Sequence, residues 1–105
     1  MNRKIDTKED ILRCLLAKKD SLAALGVISL GLFGSFVHGE QTPSSDVDIL
    51  IEFAPDKHTF DNFMEVSFLL EDLLGRKVDI VTPEALSPYI GPYILKEVER
   101  VAIAA

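Results

Sequence analysis

Residues 21–37 carry no charge, and this stretch decides what the chain can become. It is shorter than the roughly 20 apolar residues a bilayer requires, and Gly26, Gly31 and Gly34 with Ser29 and Ser35 break it into pieces. Within it, Val27-Ile28-Ser29-Leu30-Gly31-Leu32-Phe33 is a near-continuous apolar run of strand length, the pattern of a strand buried on both faces. The segment predicts a central strand between two turns and no membrane association.

The flanking sequence supplies helices and further strands. Thr7 can cap a helix, with Asp10 three residues later as in a capping box, and Ile11, Leu12, Leu15 and Leu16 recur at helical spacing over about 7–19. Residues 21–26 read as a short helical turn stopped by Gly26, and 36–39 as one more turn before a polar loop, 40–45. Residues 46–53 form an apolar, β-branched strand closed by Pro55. Phe60, Phe63, Met64, Ser67, Phe68, Leu70 and Leu74 give a helical stripe ended by Gly75, and 77–81 is a short third strand. Thr82-Pro83-Glu84 starts a short helix, 88–100 holds the last helix, and the apolar tail 101–105 can add an edge strand. Alternating strands and helices define an α/β (α+β) domain, a small mixed β-sheet flanked by helices and covered mainly on one side.

At 105 residues the chain is expected to be one domain, 1–105, with its catalytic groups on the same scaffold that holds the fold together. The formal charge of −6 argues against direct nucleic-acid binding and favours a divalent cation or a basic partner. Cys14 is the single cysteine and falls in an apolar helical stretch, so a disulfide or thiolate zinc site is not expected. The N-terminus turns acidic at Asp6 with no secretory pattern, and a cytoplasmic setting is expected.

Asp46 and Asp48 are one residue apart at a strand, so both side chains emerge on the same face with α-carbons about 6.6 Å apart. Two carboxylates that close repel unless a cation lies between them, and Mg²⁺ prefers such oxygens at about 2.0–2.1 Å, with water and substrate phosphate completing its shell. Asp79 is embedded in Val78-Asp79-Ile80-Val81, where burial of an aspartate would need compensation. If that strand lies beside the Asp46 strand, three carboxylates gather, enough for two metal ions about 3.5–4 Å apart. Gly34-Ser35 follows the central strand directly, where backbone N–H groups and the serine hydroxyl can hold a phosphate. Gly34-Ser35, ten residues, then Asp46-Val47-Asp48 would arise by chance in only about two chains per thousand of this length, which separates it from an ordinary turn.

Gly34-Ser35-x10-Asp46-x-Asp48 with Asp79 on a later strand resembles the signature of the DNA polymerase β-like nucleotidyltransferases. The short length and Leu32-Phe33-Gly34-Ser35-Phe36-Val37-His38-Gly39-Glu40 are similar to the minimal nucleotidyltransferases, the MntA-type antitoxins paired with HEPN toxins. The resemblance covers nearly the whole chain and implies the nucleotidyltransferase fold. It assigns triphosphate binding to Gly34 and Ser35 and Mg²⁺ to Asp46 and Asp48. To Asp79 it gives assistance to the attacking hydroxyl and to a metal. It further implies ATP as co-substrate and a HEPN-type ribonuclease toxin as partner, whose tyrosine hydroxyl receives AMP as pyrophosphate leaves. His38 stands where relatives commonly carry arginine, and an imidazole does not reproduce the guanidinium fork.

Two other classes are compatible with the residues themselves. An acidic antitoxin could neutralise a basic toxin by binding alone, a role the charge would serve by steering. A metal-dependent phosphatase or simple divalent-ion binder would use the aspartates without requiring Gly34-Ser35. Tyr89 and Tyr93, four apart, are expected to pack on the core or a partner, and His58 to face solvent. Phe60, Phe63 and Phe68 could serve either core or interface.

Overall fold

A computed structural model describes residues 5–103 of the chain. Thr7 caps α1 (Lys8–Ala17), its hydroxyl accepting from the Asp10 amide at 3.2 Å while the Asp10 carboxylate accepts from the Thr7 amide at 3.1 Å. The helix expected over 7–19 stops at Lys18, and α2 (Lys19–Ala24) starts separately and turns its buried Leu22 into the core. The central strand β1 (Val27–Phe33) follows. Then come the single turn α3 (Ser35–His38), β2 (Val47–Phe53) and α4 (Phe60–Leu74). Thr59 caps α4 at its start, and Gly75, at φ 65°, closes it in the left-handed conformation that glycine adopts without a Cβ clash.

The chain ends through β3 (Val78–Val81), a 3₁₀ turn at Pro83–Ala85, α5 (Gly91–Glu97) and β4 (Glu99–Ala102). The last helix is therefore shorter than the 88–100 expected. Val98 is extended (φ −62°, ψ 135°), and β4 begins two residues earlier than the predicted tail, pairing with the edge of β1. Residues 104 and 105 of that tail lie outside the described residues.

The four-stranded sheet has the order β3-β2-β1-β4. β1 is antiparallel to both β2 and β4, and β2 is parallel to β3, with α4 as the crossover that parallel pairing demands. Alternation sends Leu30 and Leu32 of β1, Val47, Ile49 and Ile51 of β2, and Val78 of β3 to one face. There they form a single cluster with Ile11 and Leu15 of α1, Leu22 of α2, and Val66, Leu70 and Leu74 of α4. Cys14 packs against this cluster from α1. The opposite face carries Asp48 and Glu52 along β2, with Leu50 buried between them. A Cβ on Gly31 would collide with the side chain of Val98, which follows α5. Among the described residues no helix is long and apolar enough to cross a membrane.

Ile49 is fully buried in the middle of this cluster. Its replacement by alanine removes three carbons from a site that the two flanking strands prevent from collapsing, and we expect a loss of about 2–5 kcal/mol in urea-denaturation stability. A loss under about 1 kcal/mol would show that the sheet–helix layer is not the folding core.

Candidate active site

The geometry centres on Asp48. In β2 it lies opposite Phe33 of β1 on one side and opposite Asp79 of β3 on the other. Residues directly paired across adjacent strands present their side chains on the same face, so the Asp48 and Asp79 carboxylates are neighbours there. Asp46 lies one residue before the strand as assigned, at the end of the polar loop rather than within β2, and still two residues from Asp48. Partial burial pushes the Asp48 carboxyl above the ordinary aspartate range, and the charges of Asp79, Asp46 and Glu97 push it the same way. Asp48 is thus a partly desolvated carboxylate whose neighbours Asp79, Asp46 and Glu97 each add unfavourable like charge.

Asp79 itself is exposed, against the expectation that its burial needs compensation. β3 is an edge strand, and the face that carries Asp79 is the open one, so the aspartate is hydrated where an inner strand would have enclosed it.

Gly34 lies between the end of β1 and α3, with φ 79° and ψ −150°, a conformation that only glycine occupies readily. A Cβ here would also run into the Asp48 carboxylate. The residue that turns the chain out of β1 therefore leaves room for the carboxylate, and Ser35 opens α3 directly above it. The first amides of a helical turn have no acceptor within it and face outward. Gly34 donates its own amide to Glu97 Oε1 at 3.4 Å, and Glu97 Oε2 lies 2.5 Å from His38 Nε2. Glu97, at the end of α5, thus holds both ends of the Gly34–His38 turn.

The donor set suits a hard divalent cation. Carboxylate oxygens crowd around an anion that burial already destabilises, and Mg²⁺ takes only one or two protein carboxylates when phosphates and water complete its shell. Among the described residues no three His, Cys, Asp or Glu side chains close around one point as they stand. Asp48 with Asp46 is the pair placed to hold such an ion, with Asp79 beside Asp48.

Two residues at this site carried no sequence signal. Glu97 reads as one more charge on a terminal helix, because its role depends on α5 returning over the open sheet face. Arg76 reads as a surface residue in a Gly-Arg-Lys turn. Of the residues expected to pack or to face solvent, Tyr89 and Tyr93 do not join the core, being 84% and 76% exposed. Phe63 packs against the core while Phe60 and Phe68 are exposed. His58 is exposed yet stacks on Phe53, ring centroids 5.1 Å apart.

β1 thus runs into a glycine–serine turn, and acidic side chains lie at the start of the neighbouring strand β2. The family profile described as "Nucleotidyltransferase domain" matches residues 11–101. Protein adenylyltransferase MntA of Thermococcus cleftensis is 41% identical over 93 residues, covering 88% of this chain and 93% of its own. A solved structure provisionally described as a minimal nucleotidyltransferase superposes with a TM-score of 0.69 at 32% identity, covering 84% of this chain and 93% of that one. A structure described as a toxin–antitoxin with AMP-PNP shares the fold, with a TM-score of 0.60 at 23% identity over 78% of this chain and 70% of that one. The chain belongs to the nucleotidyltransferase domain family and has the minimal nucleotidyltransferase fold. It is an enzyme of the nucleotidyltransferase class.

The raised affinity of Asp48 for its proton has a sign that can be tested. A carboxyl whose folded-state value is raised contributes stability below the ordinary aspartate range and loses it as pH rises through the raised value. At pH 7 the ionised side chain therefore costs stability. Asp48→Asn, in EDTA, is expected to raise Tm by a few degrees at pH 7, and the gain should shrink toward about pH 3, where wild-type Asp48 is itself protonated. A lower Tm for the variant at pH 7, read by differential scanning fluorimetry, would contradict this electrostatic account.

Proposed function

We propose that this chain is an Mg²⁺-dependent adenylyltransferase that moves AMP from ATP to a tyrosine hydroxyl of a HEPN-type ribonuclease toxin and so acts as its antitoxin. One observation carries the chemistry: the Asp48 carboxylate, half-desolvated and flanked by Asp46 and Asp79, lies directly under the Gly34–Ser35 turn. Phosphates seated on that turn would lie over the carboxylates. Mg²⁺ held there would neutralise the triphosphate and the departing pyrophosphate.

In this reaction the tyrosine oxygen forms a bond to the α-phosphorus, the bond from the α-phosphorus to the bridging oxygen of the β-phosphate breaks, and pyrophosphate leaves. Ser35 orients the phosphates through its amide and hydroxyl, and Gly34, whose own amide is donated to Glu97, lets them approach closely. Asp46 and Asp48 would supply the anionic oxygens that hold the cation. Asp79 accepts or relays the proton of the incoming hydroxyl, and its exposure on the edge strand suits a nucleophile arriving from another molecule. The toxin partner is supported by the MntA-type resemblance, by the toxin–antitoxin structure that shares the fold and by a charge of −6, which would steer a basic ribonuclease toward this surface.

Incubating a HEPN-type toxin from the same genome with the protein, ATP and Mg²⁺ is expected to add one or more AMP units to the toxin by intact-mass spectrometry. The Asp46→Asn, Asp48→Asn double variant should reduce the rate more than about a hundredfold. Transfer that survives in the double variant would refute the assigned roles. A toxin neutralised without any mass gain would identify a binding antitoxin instead.

A further inference from the structure

The side chain of Arg76 stands where three pieces of the site meet. It follows Gly75, the close of α4, and precedes Asp79 by three residues. Its Nε and Nη2 both donate to the carbonyl of Ile5, at 3.1 and 2.7 Å. Nη1 donates to the carbonyls of Ser45 and Thr42, at 2.8 and 3.1 Å. The guanidinium carbon lies 5.1 Å from the centre of the Phe36 ring. Ser45 is the residue before Asp46, and Phe36 is the residue after Ser35. One side chain, on the approach to the strand bearing Asp79, therefore grips the chain next to Asp46 and next to the glycine–serine turn.

The segment between α3 and β2 has no helix or strand of its own, so its path rests on local turn bonds, on the Gln41 Nε2 donation to the Asp6 carbonyl at 2.8 Å and on this grip. A guanidinium is suited to it. Its planar fork serves three carbonyls in different directions while the flat face lies on an aromatic ring. An ammonium offers three donors from one point and cannot span them. Among the described residues Arg76 forms no ion pair, so its charge is directed at main-chain carbonyls rather than at a carboxylate.

We propose that Arg76 is a positioning residue for nucleotidyl transfer: it holds Asp46 and the Gly34–Ser35 turn in register with Asp79 without touching nucleotide or metal. What the site does rests on the function proposed above, whereas the grip itself rests on the contacts alone.

The test compares wild type with Arg76→Lys and Arg76→Ala in three measurements: Mn²⁺ affinity by electron paramagnetic resonance titration, hydrogen exchange of the 42–46 amides, and transfer kinetics. Arg76→Lys is expected to keep its circular dichroism spectrum, to exchange the 42–46 amides faster and to bind Mn²⁺ about tenfold more weakly. Its kcat/KM for transfer should fall about 10–100-fold, mainly in kcat, as when a group supporting a metal ligand is removed. Methylguanidinium added to a folded Arg76→Ala variant should restore part of the Mn²⁺ affinity, which a general loss of stability would not allow. Mn²⁺ affinity within about twofold of wild type together with unchanged exchange in Arg76→Lys would overturn the proposal and leave the transfer reaction standing. Wild-type protein that binds Mn²⁺ but transfers nothing would overturn the reaction, and the affinity and exchange comparisons would still decide what Arg76 does.

Discussion

Like-charge crowding on the open face of the sheet is the constraint on which the site depends. Asp48 is held on an inner strand, between the end of β1 and the edge strand β3, with Asp79 across from it and Asp46 and Glu97 adding charge. No hydrophobic gain accompanies that arrangement, and burial makes it worse. A fold retains such a cluster when a cation or an arriving ligand relieves it, and the cost is tolerated because the opposite face of the sheet carries the stabilising core.

Two devices around the cluster keep it usable. Glu97 reaches from the end of α5 to Gly34 and His38, and Arg76 reaches from the start of β3 to the carbonyls beside Asp46 and to the ring beside Ser35. Both act across the sheet, so neither side of the glycine–serine turn is left to local geometry. Asp79 stays exposed on the edge strand.

The elements that pack by period were legible in the sequence. The central strand and α4 coincide with their expected bounds, because an unbroken apolar run and a capped amphipathic stripe each admit one structure. Of the three aspartates expected to gather, Asp48 and Asp79 meet across neighbouring strands, whereas Asp46 lies in the loop before β2 and no three such side chains close around one point among the described residues. Where the chain turns back on itself, local pattern ran out. The pattern over 88–100 gave no warning that Val98 would break the helix and let β4 form, since that strand exists only through pairing with β1. The exposure of Asp79 could not be read from its apolar neighbours, because whether β3 is an edge or an inner strand is a property of the whole sheet. Arg76 and Glu97 were invisible for the same reason: their partners lie 71 and 63 residues away at Ile5 and Gly34.

The most direct measurement is a crystal structure of the protein with a non-hydrolysable ATP analogue and Mn²⁺, using the anomalous signal of manganese to locate the ion. The account predicts manganese on the Asp48 carboxylate, shared with Asp46, and phosphate oxygens on the Ser35 amide and hydroxyl at the Gly34–Ser35 turn. Manganese away from Asp48, or a triphosphate bound elsewhere on the domain, would contradict it.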